Sequence, residues 1–264
     1  MAIDASHFSM VGFMVDIRDG AGVTQAMRRH MADCAPADLP PPNRVCRVKD
    51  PSGGELTIGL TRGEGGQDEF VTLNPGFTGE GRTPVEITAD VSAAEWKPFE
   101  VTISARFAGE ETPLVFDLAD PAQAELFKPG AKVAVDIAAF GFQPSLHADE
   151  AAFAKSQAKA KVRFASNAFI PTGLFAEAQG GTLTKDGRPT AYADFAGKVL
   201  KAELRVNKAG SGRFWWALVE TYGGATVDVV MDPRTVHGDP KPGAILAGRF
   251  WLSARLAPAS SPAP

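Results

Sequence analysis

The chain has 264 residues, of which 44% are hydrophobic and 22% are charged, and its formal net charge at pH 7 is −4. This composition excludes wholesale disorder, collagen-like repeats and coiled coils, and its 27 glycines and 20 prolines favour many short strands joined by turns. No apolar run is long enough to form a membrane-spanning helix, and the start of the chain lacks the basic segment of a secretory signal. We therefore expect a cytoplasmic protein, and the Ala-, Asp-, Arg- and Pro-rich composition is typical of bacterial proteins.

The predicted elements begin with a strand and a helix. The Val/Ile/Phe-rich run FSMVGFMVDI (8–17) predicts a strand, and the helical spacing of Val23, Ala26, Met27 and Met31 predicts a helix over 23–34. From residue 44 onward, short apolar runs separated by Gly- and Pro-rich turns predict a series of strands. The first part of the chain, 1–145, is therefore expected to form a β-rich domain that also contains a helix.

Two cysteines, Cys34 and Cys46, flank a proline-rich segment. A single pair in a chain of this length does not indicate a disulfide framework, so we expect two reduced thiols. A disulfide would require the proline-rich segment to bring the two Cα atoms within about 7 Å.

The second half of the chain begins with a predicted helix. An alanine-rich stretch with Asp149 and Glu150 in its first turn predicts a helix over 148–160, where the helix dipole favours acids. Helix and linker are expected over 146–190, a β-barrel of four strands over 191–257, and a disordered tail over 258–264.

Two stretches of the sequence resemble each other. Residues 111–140 and 224–252 each run from an apolar strand through Asp-Pro and then Pro-Gly-Ala to a second apolar strand. This pattern suggests a duplicated β-unit. The alternative is that two common turn dipeptides recur by chance.

The strand rhythm of 195–256 is that of a Greek-key barrel. A long strand with Gly197 near its start is followed by two shorter strands, a connection, and a closing strand that contains Gly248. In this rhythm the segment resembles the OB-fold. The predicted fold class is therefore mainly β with a minor α component, built from two β-units of which the C-terminal one is a small OB-like barrel.

The sequence contains no motif that names a reaction. The four histidines, His7, His30, His147 and His237, are scattered without metal-ligand spacing, so we predict no metal site. The GxSxG nucleophile motif and the GxxxxGK[ST] phosphate-binding loop are also absent from the sequence. We therefore predict no catalytic residue and no cofactor.

The strand GRFWWALVE contains two adjacent tryptophans, which must point to opposite faces. Period two assigns Phe214, Trp216 and Leu218 to a core face and Trp215 to a second face. Residues 190–264 contain nine basic and six acidic residues, so this segment carries a local charge of +3. If the second faces of neighbouring strands coincide, they form one ligand-binding surface that consists of Trp215, Trp251, Lys201, Arg205, Arg213, Arg249 and Arg255.

Three functions are compatible with such a surface. The sequence favours a non-enzymatic binding or interaction protein, with Trp215 and Trp251 in a seam with a protein partner or a second copy of the chain. Single-stranded nucleic acid or another anionic ligand is the first alternative, since aromatic rings stack on bases while cations follow phosphates. The second alternative is an enzyme whose site lies between the two β-halves.

Overall fold

The computed structural model describes residues 5–18, 20–160 and 162–258, and two sheets dominate the fold. The predicted tail over 258–264 lies, from residue 259 onward, outside the described residues. Helices α1 and α2 span Gly20–His30 and Glu150–Ser156. The strands are β1 Ala35–Asp38, β2 Asn43–Lys49, β3 Gly54–Arg62, β4 Asp68–Phe77, β5 Thr83–Asp90, β6 Thr102–Phe107, β7 Pro113–Leu118, β8 Lys132–Gly141, β9 Ser145–His147, β10 Phe169–Ile170, β11 Tyr192–Asn207, β12 Gly212–Glu220, β13 Thr226–Met231 and β14 Ile245–Leu256.

The mainly β fold class is confirmed, together with a helix near the N-terminus and another after residue 148. Helix α2 is shorter than predicted; Asp149 caps its start by accepting a hydrogen bond from the backbone N–H of Ala152 at 2.7 Å. The predicted strand over 8–17 is wrong. This segment forms a 3-10 turn, Ser9–Val11, and a single bridge between Phe13 and Ser211. It packs against the outer side of the sheets through four buried side chains, those of Met10, Val11, Phe13 and Val15.

The first sheet is an antiparallel meander of β1 to β4. Cys34, which precedes β1, is joined to Cys46 in β2 by a disulfide, with the two Cα atoms 5.4 Å apart. The expectation of two reduced thiols is therefore wrong. The proline-rich segment turns back between β1 and β2, and this hairpin brings the two cysteines together.

The second sheet contains ten strands, eight of which close into two rings. The first ring runs β5–β6–β7–β14–β8, and the second runs β11–β12–β13–β8–β14. Strands β8 and β14 pair with each other and belong to both rings. We call β5 to β8 the first unit and β11 to β14 the second unit. Each unit completes the ring of the other, and residues 191–257 do not close a ring by themselves.

The two units repeat the same local structure. In each unit the first strand carries a bulge, after Ile87 in β5 and after Val199 in β11. The Lys-Pro-Gly-Ala turn of each unit then bonds to the residue before this bulge: Gly130 N–H donates to the Ile87 carbonyl and Gly243 N–H to the Val199 carbonyl, both at 2.8 Å. Gly130 and Gly243 have φ of 84° and 90°, which favours glycine. This shared geometry is what the duplication hypothesis requires.

Two hydrophobic clusters lie on opposite sides of the shared strands. The inner cluster fills both rings and includes Phe116, Ala139 and Val219. The outer cluster packs Trp216 and Phe140 of the rings against the N-terminal segment and the first sheet. Strand β12 is therefore buried on both faces, and this burial determines where its side chains can meet a ligand.

Within the described residues, no helix combines the length and the apolar character needed to cross a membrane.

Candidate functional site

The two tryptophans of the predicted surface lie on opposite sides of the sheet. Trp215 packs against the inner cluster and Trp251 against the outer cluster, beside Phe140. The assignment of Trp216 to the core with Phe214 is confirmed, but the second face of β12 is not a free surface. The alternation of side chains along β12 correctly separates its two faces. Alternation cannot show, however, that the closed ring buries both of these faces.

Four of the five predicted cations are held in ion pairs. These pairs are Lys201 with Glu80, Arg205 with Glu203, Arg249 with Asp194, and Arg255 with Glu55. Arg205 also lies over the ring of Trp216, with its guanidinium carbon 3.9 Å from the ring centroid. The charges are therefore dispersed over separate regions of the molecule rather than gathered on one face. Among the described residues, Arg213 has no ion-pair partner.

A polar cleft lies beside Trp251, between the two units. It consists of recesses of about 310 and 90 Å³ that share three lining residues, Glu100, Asp117 and Trp251. Side chains from the N-terminal segment, the first unit and the second unit meet here. We call this site the Trp251 cleft and define it by His7, Glu100, Thr102, Asp117, Tyr192 and Trp251.

Asp117 is the most constrained carboxyl group of the Trp251 cleft. The hydroxyl of Thr102 donates to its Oδ1 at 2.6 Å, and the indole N–H of Trp251 donates to its Oδ2 at 2.6 Å. Removal of the carboxyl from water raises the pKa of Asp117, and these two hydrogen bonds offset only part of that effect. Asp117 and Trp251 therefore form a fixed, hydrogen-bonded wall.

Glu100 lies at the rim of the cleft. Its carboxyl group has no hydrogen bond or ion pair with any other described residue, and its backbone is held by an N–H bond to the Trp96 carbonyl at 3.1 Å. Partial burial and the nearby charge of Asp117 both raise the pKa of Glu100. An acid that is unpaired and beside another acid gains most from a cationic ligand.

Aromatic side chains surround the two carboxyl groups. The rings of His7 and Trp251 lie with their centroids 4.7 Å apart, and Tyr192 is the cross-strand partner of Trp251. Burial lowers the pKa of His7 to about 4, so its imidazole is neutral at pH 7. Its Nε2 atom is buried without a hydrogen-bond partner among the described residues.

Two acids line the cleft, and neither has a cationic partner among the described residues. Arg188 lines the larger recess, but it is compensated by Asp186 at 2.6 Å and by Glu95 at 3.3 Å. His7 adds no charge at pH 7. Glu100 and Asp117 are thus the groups whose charge is not balanced by a neighbouring cation in the described part of the chain, and the cleft favours a cationic over an anionic ligand.

The sequence reasoning missed most of this site. It selected Trp251 but assigned it to a basic face, and it treated His7 as one of four scattered histidines. One usable signal was Asp117, an acid inside the apolar run PLVFDL, because a charged residue within a buried strand requires a partner. Nothing in the sequence connects positions 7, 100, 117 and 251, because the shared strands bring them together only in the fold.

Among the residues that the structure describes, no group of three or more His, Cys, Asp or Glu side chains is arranged to hold a metal ion. The chain was also compared with known proteins. No protein-family model matches it, and no curated protein is significantly similar to it in sequence.

Proposed function

We propose that the chain is a binding protein whose Trp251 cleft takes a cationic group from a protein partner. The observation that carries this proposal is the unpaired carboxyl of Glu100 in the same recess as Asp117 and the aromatic ring of Trp251. Guanidinium and ammonium groups pair with carboxylates and pack on the faces of aromatic rings. The recess offers both kinds of contact.

An arginine side chain is the cation that fits best. Its planar guanidinium can donate to two carboxyl groups at once while its face lies on an indole. Arginine is also enriched at the centres of protein interfaces, where it fills desolvated recesses. A recess of about 310 Å³ accommodates one such side chain. The proposed partner is therefore a protein that presents an exposed arginine.

This proposal changes the role that the sequence suggested for Trp251. The sequence placed Trp251 in a surface for an anionic ligand or for a subunit seam. The acids beside it disfavour an anion at this position, because a phosphate would meet the carboxyl groups of Glu100 and Asp117 without a free cation. The preference for an interaction protein is retained, now with the Trp251 cleft as its site.

Binding of small arginine analogues tests the proposal. We expect N-acetyl-arginine amide to bind the full-length protein and N-acetyl-citrulline amide, which has nearly the same shape without the charge, to bind at least about tenfold more weakly. Glu100→Gln is expected to weaken arginine binding by about tenfold, because the charge-assisted hydrogen bonds are lost. Calorimetric titration measures both effects.

The matched control is Glu125→Gln, an exposed acid whose side chain is 89% accessible and which does not line the cleft. This variant is expected to bind the arginine analogue like the wild type. The proposal would be contradicted if the citrulline analogue bound as tightly as the arginine analogue. It would also be contradicted if Glu100→Gln and Glu125→Gln lost the same affinity for the arginine analogue.

Acid–base catalysis is the second candidate function. The observation that favours it is that both carboxyl groups in the cleft have raised pKa values, as general acids require. Hydrolysis of chromogenic glycosides or esters at mildly acidic pH, lost in Glu100→Gln but not in Glu125→Gln, would support this candidate. Identical background hydrolysis in all three proteins would reject it for these substrates.

A further inference from the structure

A second cavity lies at the open end of the second ring, separate from the Trp251 cleft. It has a volume of about 670 Å³. Its apolar wall is formed by Trp215, Leu204 and Val236, and its rim by Arg213, Arg234 and Asp239. Leu204 is the cross-strand partner of Trp215, so both side chains lie on the inner face of the sheet. We call this site the Trp215 cavity.

The indole of Trp215 differs from those of its neighbours on the rings. Trp216 donates its N–H to Asp228 at 2.7 Å, and Trp251 donates to Asp117 at 2.6 Å. Within the described part of the chain, the N–H of Trp215 donates to no other residue, and it is not sealed from solvent. Partly buried tryptophans usually satisfy this donor. Trp215 therefore offers both a ring and an unused N–H to a ligand.

The charges at the rim indicate one anionic group in the ligand. Arg213 lies two residues before Trp215 on the same face of β12, and it has no ion-pair partner among the described residues. Arg234 is compensated by the buried Asp232. Asp239 also lines the cavity and provides an acceptor for a hydroxyl or amino group of a ligand.

Comparison of the two units explains why this ring end is open. In the first unit, Asp120 of the Asp-Pro turn pairs with Arg47 of β2 at 2.6 Å, so the first sheet covers that turn. In the second unit, Asp232 occupies the corresponding position and pairs with Arg234, only two residues away. The second Asp-Pro turn is therefore held by its own loop and leaves the cavity accessible.

The turn between β11 and β12, which leads into Arg213, is fixed before any ligand arrives. Asn207 is fully buried; its side-chain amide donates to the Val11 carbonyl at 2.7 Å and its side-chain oxygen accepts from Gly210 N–H at 2.7 Å. Ser211 follows with φ of 61°, an uncommon conformation for a residue other than glycine. A fixed loop lowers the entropy that a ligand must overcome.

We propose that the Trp215 cavity binds one nucleotide, with the base against the indole of Trp215 and the phosphate on Arg213. A stacked base and one charge-assisted phosphate contact match the ring, the unused N–H and the single unpaired cation. The other predicted cations are held in ion pairs and lie outside the cavity, so they do not provide a track for a phosphate backbone. The nucleotide can be free or can belong to the end of a single strand.

Titration of the full-length protein with AMP, UMP, adenosine, inorganic phosphate and a short oligothymidylate tests the proposal. We expect both nucleotides to bind more tightly than adenosine or phosphate. With one phosphate contact, the affinity should fall only about threefold between about 50 and 200 mM salt. Arg213→Gln should weaken nucleotide binding about tenfold, because this exposed residue supplies the only phosphate contact in the proposal.

Two further variants separate this site from the rest of the molecule. Trp215→Phe should weaken binding while keeping an aromatic ring in the packed position. Arg249→Gln, which removes an exposed arginine outside the cavity, should leave binding unchanged. Equal affinity for mononucleotide and oligothymidylate would identify a free nucleotide as the ligand, and much tighter binding of the oligothymidylate would identify a strand end. Absence of binding by all nucleotides, or equal binding by wild type and Arg213→Gln, would overturn the proposal.

Discussion

His7 remains neutral at pH 7 because its ring is buried among aromatic side chains. Its centroid lies 4.4 Å from that of Phe142 and 4.7 Å from that of Trp251, and burial lowers its pKa to about 4. The unfolded chain binds a proton at this histidine below pH 6.5, whereas the folded chain does so only near pH 4. Acid therefore lowers the free energy of unfolding, and the contribution of His7 to stability is lost as the pH falls from about 6.5 to 4.

His7→Phe should remove this dependence on pH while keeping an aromatic ring in the cleft. The shift of about 2.5 pKa units corresponds to about 3 kcal/mol, so the wild type should lose up to that amount relative to His7→Phe between pH 7 and pH 4. Urea unfolding at several pH values measures the difference. Parallel stability curves for the two proteins would show that His7 is accessible to protons in the folded state.

Strands β3 and β14 are connected by a buried ion pair between Glu55 and Arg255. The two side chains are 4% and 10% exposed, and their charged atoms lie 2.8 Å apart. The sequence placed Arg255 on a ligand-binding face, but this residue instead joins the first sheet to the rings. Buried pairs of this kind are costly to break, because the carboxyl of Glu55 then keeps only the more distant Lys49, whose Nζ lies 3.9 Å away.

Arg255→Met should therefore lower the free energy of unfolding by about 3–5 kcal/mol. Arg255→Met combined with Glu55→Gln should recover at least half of this loss, since the buried carboxyl that has lost its closest cation is removed and the hydroxyl of Thr78 keeps an acceptor. Chemical denaturation of the two variants measures the difference. A double variant less stable than Arg255→Met would contradict this account of the pair.

The disulfide between Cys34 and Cys46 closes the β1–β2 hairpin of the first sheet. The two residues are 12 positions apart, and a loop of this size stabilises a fold by about 3 kcal/mol. The denatured, unreduced protein should show no free thiol and the reduced protein two, and reduction should lower the unfolding free energy by about that amount.

Two reactive thiols in the unreduced protein would show that Cys34 and Cys46 are reduced, as the sequence predicted. The outcome also bears on the expected cytoplasmic location, which stays a prediction, because stable disulfides are rare in reducing compartments. The double variant Cys34→Ser/Cys46→Ser is the control, and its stability should not respond to reductant.

At the scale of the whole molecule, β8 and β14 make the two units interdependent. Each strand pairs with the other and completes the ring of the opposite unit. The Trp251 cleft lies where Asp117 of the first unit meets Trp251 of the second. The proposed binding site therefore exists only when both units are assembled.

A fragment of residues 191–258 should fail to fold cooperatively, because it lacks β8 and its ring stays open. Thermal unfolding followed by circular dichroism should show one transition for the full chain and none for the fragment. Addition of a peptide that spans Lys132–Gly141 is the matched test, since it supplies the missing strand. A fragment that melts cooperatively alone would show that the C-terminal barrel is independent.

The sequence was sufficient for features that depend on local patterns. Helical spacing predicted α1, acids in a first turn predicted α2, and alternation predicted the core position of Trp216. The repeated Pro-Gly-Ala turns make the same hydrogen bond in both units, and the duplication itself stays a prediction. The OB-like character of the second unit stays a prediction, since its ring takes a strand from the first unit.

Features that depend on long-range pairing could not be predicted. The period of β12 is the same whether its second face meets water or the inside of a ring, so Trp215 looked like a surface residue. Similarly, Arg249 and Arg255 looked like free cations, because their partners Asp194 and Glu55 are 55 and 200 residues away. Local sequence carries no information about such partners.

The central claim is that Trp251 and Trp215 belong to two sites with opposite preferences for charge. The indole N–H resonances of the folded protein test it most directly, because each tryptophan gives one signal. N-acetyl-arginine amide should shift the signal of Trp251, AMP should shift that of Trp215, and neither should move that of Trp216, which is sealed against Asp228. If the arginine analogue leaves the Trp251 signal unchanged, or if AMP shifts it, the account is contradicted.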